Sequence, residues 1–265
     1  MTIPTAPSPG TPVSLVSGVG PGLGRKVALA LARDGSDLVL AARRGEVLEA
    51  VAGEVRALGR RALVVPTDMT DRAACAALAG AAVSEYGRID ILVNNAYVED
   101  VFQTFERVDL DEWRRLTEVN LFGPLQVTKE VVPQMRSQGG GSIVFVNSMI
   151  VRKPLARQGG YLTSKAGLLG AAQGLALELG RHRIRVNSVL PGWIWGPQVE
   201  LYVKFSAEKR GVEEQEIIEE ITREIPLGTI PTDDEVAQAV VFLASERASA
   251  ITGQSLDVNG GEVFA

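Results

Sequence analysis

The stretch SLVSGVGPGLGRKVALALA, residues 14–32, decides how we expect the chain to fold. It joins a short apolar run to an alanine- and leucine-rich run through a turn in which Gly18, Gly22 and Gly24 follow the spacing G-x-x-x-G-x-G. Glycine permits a tight turn and close approach of a ligand to the backbone, and the free N–H groups at the start of a helix attract anions. The turn is therefore a candidate site for the diphosphate of a dinucleotide, although glycines also form purely structural turns.

The rest of the chain repeats this order of a short apolar run and a longer helical segment. Continuous apolar runs are typical of parallel strands covered on both faces. The alternation predicts an α/β fold with a single doubly wound, mostly parallel sheet flanked by helices, a Rossmann-like architecture. The predicted strands are residues 13–16, 37–41, 62–65, 89–93, 142–147 and 183–189, and the predicted helices are residues 24–33, 47–58, 72–86, 110–136 and 162–179.

Residues 12–265 are predicted to form one domain, preceded by a flexible tail at residues 1–11 that lacks the basic and apolar regions of a signal peptide. Residues 193–228 depart from the alternation because they are charged and aromatic-rich. Within them Ile217, Ile221 and Ile225 recur every four residues, which predicts one amphipathic helix. The segment follows a strand at the edge where such sheets bind ligands, so we expect a substrate lid.

The composition excludes several kinds of site in this 265-residue chain. It contains one His and one Cys, too few for a disulfide or for the ligands of a Cys/His zinc site, so we expect no metal. The net charge of -5 and the lack of a basic run argue against a nucleic-acid partner. No apolar run reaches the roughly 18 residues of a membrane span. We therefore expect a cytoplasmic protein.

Tyr161 and Lys165 are four residues apart, so in a helix their side chains share one face. A cation near the phenol would lower the pKa of the tyrosine, and Ser148, at the end of the preceding predicted strand, could hydrogen-bond a substrate oxygen. Such a set can polarise a carbonyl group and move a proton without histidine. The same residues are also compatible with a packed tyrosine, a solvated lysine and a capping serine.

These positions resemble the short-chain dehydrogenase/reductase family, and the resemblance extends over residues 13–261. It implies an NAD(P)-dependent oxidoreductase that interconverts a secondary alcohol and a ketone by hydride transfer, acts on a small molecule and assembles as a homotetramer or homodimer. The matching motifs occur in order: the glycine-rich turn, Asp68, Asn94-Asn95-Ala96, Asn120, Ser148, Tyr161 with Lys165, Pro191-Gly192, Thr252-Gly253 and Asp257-Val258-Asn259-Gly260-Gly261.

The resemblance also implies a role for each residue of the site. Tyr161 is the general acid/base, Lys165 lowers its pKa and binds the nicotinamide ribose, and Ser148 orients the substrate oxygen. Asn120 completes the catalytic set by holding a water that links Lys165 to solvent. The implied cofactor-binding residues are Gly18, Gly20, Gly22, Leu23, Gly24, Arg43, Asp68, Met69, Asn95, Ala96, Tyr161, Lys165, Pro191, Gly192 and Ile194.

The end of the second predicted strand favours NADP(H) over NAD(H). Ala42 stands where an acidic residue would bind the adenosine ribose, and Arg43 follows it. A guanidinium pairs well with a phosphate group. Both Arg43 and Arg44 could equally be solvated, and Pro21 stands where some NADP-dependent relatives carry a basic residue.

Two positions depart from the family pattern. Tyr97 replaces a glycine after Asn94-Asn95-Ala96, and Gly196 replaces a threonine that many relatives carry. We expect Tyr97, Trp193 and Trp195 to contact substrate together with Ser148 and Tyr161, although each aromatic residue could instead serve packing. An apolar or cyclic alcohol would suit such a pocket.

Several alternatives remain open at this stage. A Cys75–His182 dyad, a serine hydrolase with Ser148 and His182, and a carboxylate pair of Glu213 and Glu214 are possible reactive groups. The hydrolase lacks a G-x-S-x-G motif, and neighbouring helix residues point in different directions. A non-catalytic nucleotide-binding or scaffold protein, or a dehydratase or epimerase, could also have this fold.

Overall fold

The computed structural model describes residues 10–264, and its centre is a seven-stranded parallel sheet in the order β3-β2-β1-β4-β5-β6-β7. The predicted doubly wound fold is confirmed. β1 pairs with β2 on one side and with β4 on the other, and the strand order reverses between β1 and β4. The carboxyl ends of these two strands therefore border the crevice where such sheets bind ligands. The strands are β1 (Val13–Ser17), β2 (Asp37–Ala42), β3 (Ala62–Pro66), β4 (Ile91–Asn94), β5 (Gly141–Val146), β6 (Ile184–Pro191) and β7 (Ser255–Val258).

Helices cover both faces of the sheet and bury an apolar cluster on each face. They are α1 (Leu23–Arg33), α2 (Gly45–Ala57), α3 (Arg72–Tyr86), α4 (Leu110–Thr117), α5 (Gly123–Ser137), α6 (Gly159–Leu179), α7 (Pro197–Arg210), α8 (Glu214–Thr222) and α9 (Asp233–Ala244). Burial of the strands on both faces explains their continuous apolar sequences. Neither β7 nor α9 was predicted from the sequence.

Residues 110–136 do not form the single helix that was predicted. A π-helical turn at Glu118–Phe122 separates α4 from α5. Asn120 lies within this turn and is fully buried. The wider turn directs one polar residue into the site, and π-turns are frequent at functional sites. The apolar pattern continues through the turn, so periodicity alone could not reveal it.

The segment 193–228 contains two helices, α7 and α8, where one was predicted. Ile217 and Ile221 belong to α8, but Ile225 lies beyond its end and is buried. The helix ends at Thr222 because Pro226 follows closely and disfavours helical backbone before it. Val203, Ala207 and Ile217 form a small apolar cluster that holds the two helices together. We call residues 193–228 the lid segment.

Residues 1–9 of the predicted tail lie outside the described part of the chain. Among the helices of residues 10–264, none combines the length and apolar character needed to cross a membrane.

Candidate active site

The glycine-rich turn joins β1 to α1, and its glycines are of two kinds. A Cβ on Gly18, which has φ +80°, would lie 2.3 Å from the Ala96 nitrogen, and a Cβ on Gly24 would lie 2.4 Å from the Gly18 oxygen. These two glycines are required because the chain packs against itself. A Cβ on Gly20 would meet no described atom within 4 Å, and one on Gly22 none closer than 3.7 Å. This side of the turn is open to a ligand.

Two neighbouring strands hold the turn in place. The Gly18 N–H donates to the Ala41 oxygen of β2 at 2.8 Å. Asn95, which follows β4, donates from Nδ2 to the Gly18 oxygen at 2.8 Å. The Asn95 amide is therefore engaged within the chain, and a dinucleotide would meet the backbone of this region, including that of Leu23 at the start of α1.

Ser148, Tyr161 and Lys165 meet at the carboxyl end of β5. The Ser148 hydroxyl lies near the Tyr161 phenol and lowers its pKa. Lys165 is only 2% exposed, and its Nζ donates to the Val146 oxygen at 2.9 Å. The same Nζ lies 5.6 Å from the centroid of the Tyr161 ring. The fold thus brings together the three groups that the sequence singled out.

Burial controls the protonation of this cluster. Removal from water raises the pKa of Tyr161 well above its ordinary value; Tyr97 raises it further, and the nearby Ser148 hydroxyl lowers it. Burial also lowers the pKa of Lys165 to about 7. Lys165 is not among the groups that shift the Tyr161 pKa in this structure, so the expected lowering by Lys165 stays a prediction. Desolvation disfavours the charged forms of both side chains. The phenol is held as the protonated acid.

Asn120 braces the loop that follows β4. Its Oδ1 accepts a hydrogen bond from the Val98 N–H at 2.7 Å, and its Nδ2 donates to the Val98 oxygen at 2.9 Å. Nδ2 also lies 3.3 Å from the Ser164 hydroxyl, which donates to the Tyr161 backbone oxygen. The Asn120 side chain thus positions the loop after β4 relative to α6. The water-holding role that the resemblance implies stays a prediction.

Two further residues, which sequence reasoning missed, position the catalytic groups. Asn147 accepts a hydrogen bond from the Ser148 N–H at 3.0 Å and donates to the Lys165 oxygen at 3.2 Å. Asp100 is buried, and its Oδ2 accepts from the Tyr161 N–H at 2.8 Å in the first turn of α6. A carboxylate there satisfies a free donor and complements the positive end of the helix. Both contacts join distant elements, so no local motif marks them.

Tyr97 connects the catalytic cluster to the lid segment. Its ring lies edge-on to that of Tyr161, with 6.4 Å between centroids, and its centroid is 5.8 Å from the Lys165 Nζ. Its hydroxyl hydrogen-bonds to the Gln198 side-chain oxygen in α7. Tyr97, which stands where the family has a glycine, therefore lies within the site.

Arg43, Asp68 and Met69 lie near one another at the end of the sheet where the resemblance places the adenosine. Hydrogen bonds from Thr70 hold the pKa of Asp68 below its ordinary value, and the nearby Arg43 lowers it further. Arg43 is exposed, whereas Met69 is buried. The guanidinium therefore has the freedom to reach a phosphate group.

The chain after β6 passes from the core to the lid segment. Pro191 ends β6, and a Cβ on Gly192 would lie 2.8 Å from the Asn259 Cβ, so the backbone here is closely packed. Ile194 packs on the apolar cluster beside α1 and α9. A Cβ on Gly196 would lie 2.7 Å from the Asp233 Oδ2, so the Asp233 carboxyl group fills the room that a side chain at position 196 would need.

The two tryptophans make different contacts. The Trp193 ring lies 5.4 Å from that of Tyr202 in α7. Trp195 packs against the apolar cluster of the lid segment and lines a cavity with residues of α8 such as Ile218. That cavity includes neither Ser148 nor Tyr161. In this conformation Trp195 therefore serves packing, which is the alternative that the sequence left open.

The alternative reactive groups that the sequence left open do not come together in the structure. The Cys75 thiol is buried against the Met69 oxygen, and burial, with nearby acidic groups, raises its pKa to about 11. The charged neighbours of His182 are Arg136 and Arg181, so neither Cys75 nor Ser148 has an imidazole partner. Glu213 caps the N-terminus of α8. Within residues 10–264, no three acidic, His or Cys side chains are grouped to hold a metal.

The two kinds of glycine predict different responses to the same substitution. Gly18→Ala should lower the free energy of unfolding by about 3 kcal/mol, because it combines a left-handed backbone with backbone overlap. Gly20→Ala is the matched control and should change it by less than about 0.5 kcal/mol. Urea unfolding measures both, and equal losses would contradict this account of the turn.

The contact of Asp100 predicts a stabilising role at the start of α6. Asp100→Ala should reduce the free energy of unfolding by about 1–2 kcal/mol, because it removes the acceptor for the Tyr161 N–H. Asp100→Asn, which retains one acceptor oxygen, should lose less. Asp111→Ala removes an exposed carboxylate paired with Arg114 and serves as the control. An Asp100→Ala protein as stable as this control would show that the contact contributes nothing.

The chain is similar to known proteins over almost its whole length. Residues 18–262 match the family model described as enoyl-(acyl carrier protein) reductase. A short chain dehydrogenase/reductase of Aspergillus oryzae is 34% identical over 251 residues, which cover 94% of each chain.

Solved structures agree with this assignment. L-sorbose reductase from Gluconobacter frateurii, complexed with NADPH and L-sorbose, has a TM-score of 0.91 and 29% identity, covering 96% of this chain and 97% of that chain. NAD+-bound xylitol dehydrogenase has a TM-score of 0.88 and 30% identity, covering 95% and 98%. Sequence, fold and site together show that the chain belongs to the short-chain dehydrogenase/reductase family.

Proposed function

We propose that this chain is an NAD(P)-dependent oxidoreductase that interconverts a secondary alcohol and a ketone. The observation that carries the proposal is the Tyr161 phenol with the Ser148 hydroxyl near it and the buried Lys165 amine 5.6 Å from the centre of its ring. Two hydroxyl groups can both donate to one carbonyl oxygen, which polarises the carbonyl group. The glycine-rich turn lies at the same edge of the sheet, so a dinucleotide there would extend toward this pair.

The proposed step moves one hydride and one proton. When bound, a dihydronicotinamide would supply the hydride: a ring C–H bond would break, a new C–H bond would form at the carbonyl carbon, and the ring would be oxidised to nicotinamide. Tyr161 donates its phenolic proton to the carbonyl oxygen as the C=O π bond breaks, while Ser148 holds that oxygen by a hydrogen bond. The substrate gains an electron pair and becomes the alcohol. In the reverse direction the Tyr161 oxygen accepts the proton of the alcohol.

The environment of Tyr161 favours the reducing direction. Burial keeps the phenol protonated, which is the form that donates a proton to a carbonyl oxygen. We further propose that Lys165 binds the nicotinamide ribose and that Asn120 serves the return of protons from solvent to Lys165. Lys165 suits such a transfer because burial places its pKa at about 7.

The residues of the turn fit a dinucleotide. Gly20 and Gly22 leave open the side of the turn where α1 begins, and a diphosphate binds well at a helix N-terminus. Arg43 supports the choice of NADP(H) over NAD(H), because it is exposed beside Asp68 at the adenosine end. The two solved relatives contain NADPH and NAD+ respectively, so the preference is specific to the residues of this chain.

Tyr97 and Trp193 are the proposed aromatic contacts of the substrate. Tyr97 lies beside Tyr161, and Trp193 lies where the chain enters the lid segment. Such surfaces suit an apolar or cyclic alcohol.

We also propose that the lid segment covers the substrate, and that the protein is cytoplasmic. Leu110 and Phe122, both about half exposed near α4, support assembly into a homotetramer or homodimer.

The role of Tyr161 predicts that Tyr161→Phe lowers kcat for ketone reduction at least about 100-fold while NADPH binding persists. The phenolic proton is the one removed, and the ring remains. Tyr86→Phe, which removes another buried hydroxyl, one bonded to the Leu38 oxygen, is the control and should retain activity. Steady-state rates and calorimetric binding give the two readouts. Unchanged ketone reduction by Tyr161→Phe would contradict the role of Tyr161. A wild type that binds NADPH but reduces no ketone would support a dehydratase, an epimerase or a non-catalytic protein instead.

The role of Arg43 predicts selective loss of NADP(H). Arg43→Ala should weaken NADPH binding about tenfold or more and leave NADH binding nearly unchanged, because it removes a charge-assisted hydrogen bond to the 2'-phosphate. Arg44→Ala, a neighbouring exposed guanidinium, is the matched control. Calorimetry on all three proteins measures the effect, and equal affinity of the wild type for NADPH and NADH would refute the role.

A further inference from the structure

The carboxyl group of Asp233 lies where three helices begin. Asp233 is the first residue of α9, Gly196 caps the N-terminus of α7, and Gly22 caps that of α1. The Asp233 Oδ2 lies 2.7 Å from the position of a Cβ on Gly196 and 3.7 Å from that of a Cβ on Gly22. Helix N-termini present free N–H groups and partial positive charge. The carboxyl group therefore faces a region suited to an anion.

The Asp233 carboxyl group has no hydrogen-bond partner within residues 10–264, although the residue is only 8% exposed. By contrast, Asp71 and Asp109, which cap α3 and α4, accept hydrogen bonds from backbone N–H groups. The Asp233 oxygens are not among the fully buried atoms without a partner, so part of their surface stays accessible from outside. A ligand at the glycine-rich turn would supply a partner.

We propose that the Asp233 carboxyl group contacts the diphosphate of the bound dinucleotide, donating a hydrogen bond when neutral and repelling the phosphates when ionised. Dinucleotide affinity then falls as the pH rises. This inference rests on the proposed function, which requires a dinucleotide at the turn. The diphosphate is the part in contact because Oδ2 faces Gly22, where α1 begins and phosphate groups bind.

The groups around Asp233 shift its titration toward higher pH. Burial raises its pKa above the ordinary value, Lys26 of α1 lowers it, and Asp234 and Glu200 raise it. Lys26 is already paired with Asp234 at 2.5 Å. Tyr97, from the loop after β4, also faces Asp233, which helps to raise the pKa of that phenol. A carboxyl group with a raised pKa loses its proton later as the pH rises, so the loss of affinity lies above the usual aspartate range.

Calorimetric titration with ADP-ribose tests the inference. This probe contains the diphosphate but no nicotinamide, and its diphosphate stays ionised throughout the range used. The Kd of the wild type should rise at least about fivefold between about pH 4.5 and about pH 7.5, a range that begins at the usual aspartate pKa and extends above it, and Asp233→Asn should change less than about twofold. The variant keeps the size and a donor group but cannot ionise, so it should also bind more tightly than the wild type at the higher pH.

Asp234→Asn is the matched control. It removes the neighbouring carboxylate of α9, which is 56% exposed, and should retain a rising Kd. The same pH profile in wild type and Asp233→Asn would overturn the inference and leave the proposed function intact. A pH effect seen with NADPH but not with ADP-ribose would place the carboxyl group at the nicotinamide and also overturn it. Failure of the wild type and both variants to bind ADP-ribose or NADPH would overturn the proposed function, and the inference with it.

Discussion

The close contact between Gly18 and Ala96 is the constraint on which the site depends. It joins the end of β1 to the end of β4 so tightly that no Cβ fits at position 18. From this point the chain after β4 contacts every other part of the site in turn. Asn95 holds the glycine-rich turn, Tyr97 contacts the lid segment, and Asp100 caps the helix that carries the catalytic tyrosine. A single short loop thus couples the dinucleotide region to the proton-transfer groups.

Desolvation of polar side chains is the second common feature of the site. Lys165 and Asp233 are buried and Tyr161 is partly buried, and desolvation shifts the pKa of each side chain toward its neutral form. Neutral acids can donate hydrogen bonds and protons where charged ones cannot. The polar groups of this site therefore act as donors held by backbone contacts, without the single histidine of the chain.

Much of the fold was predictable from local sequence, because continuous apolar strands and the β1 glycine turn are local patterns. The order of Ser148, Tyr161 and Lys165 along the chain was also sufficient to predict that they meet, since each follows or begins an element at the same edge of the sheet. The π-turn around Asn120 was not predictable, because its apolar periodicity continues that of the flanking helices. Asp100 and Asp233 were missed for another reason: each acts across the fold on a residue far away in sequence.

The central claim is that a hydride passes to a carbon whose oxygen is held by Ser148 and protonated by Tyr161. The most direct measurement uses NADPH or NADH carrying deuterium at the transferable position of the nicotinamide, with mass spectrometry and NMR of the product formed from a ketone. The account predicts an alcohol with deuterium on the carbinol carbon. Product without deuterium at that carbon, or bound cofactor that never loses its label to any ketone, would contradict it.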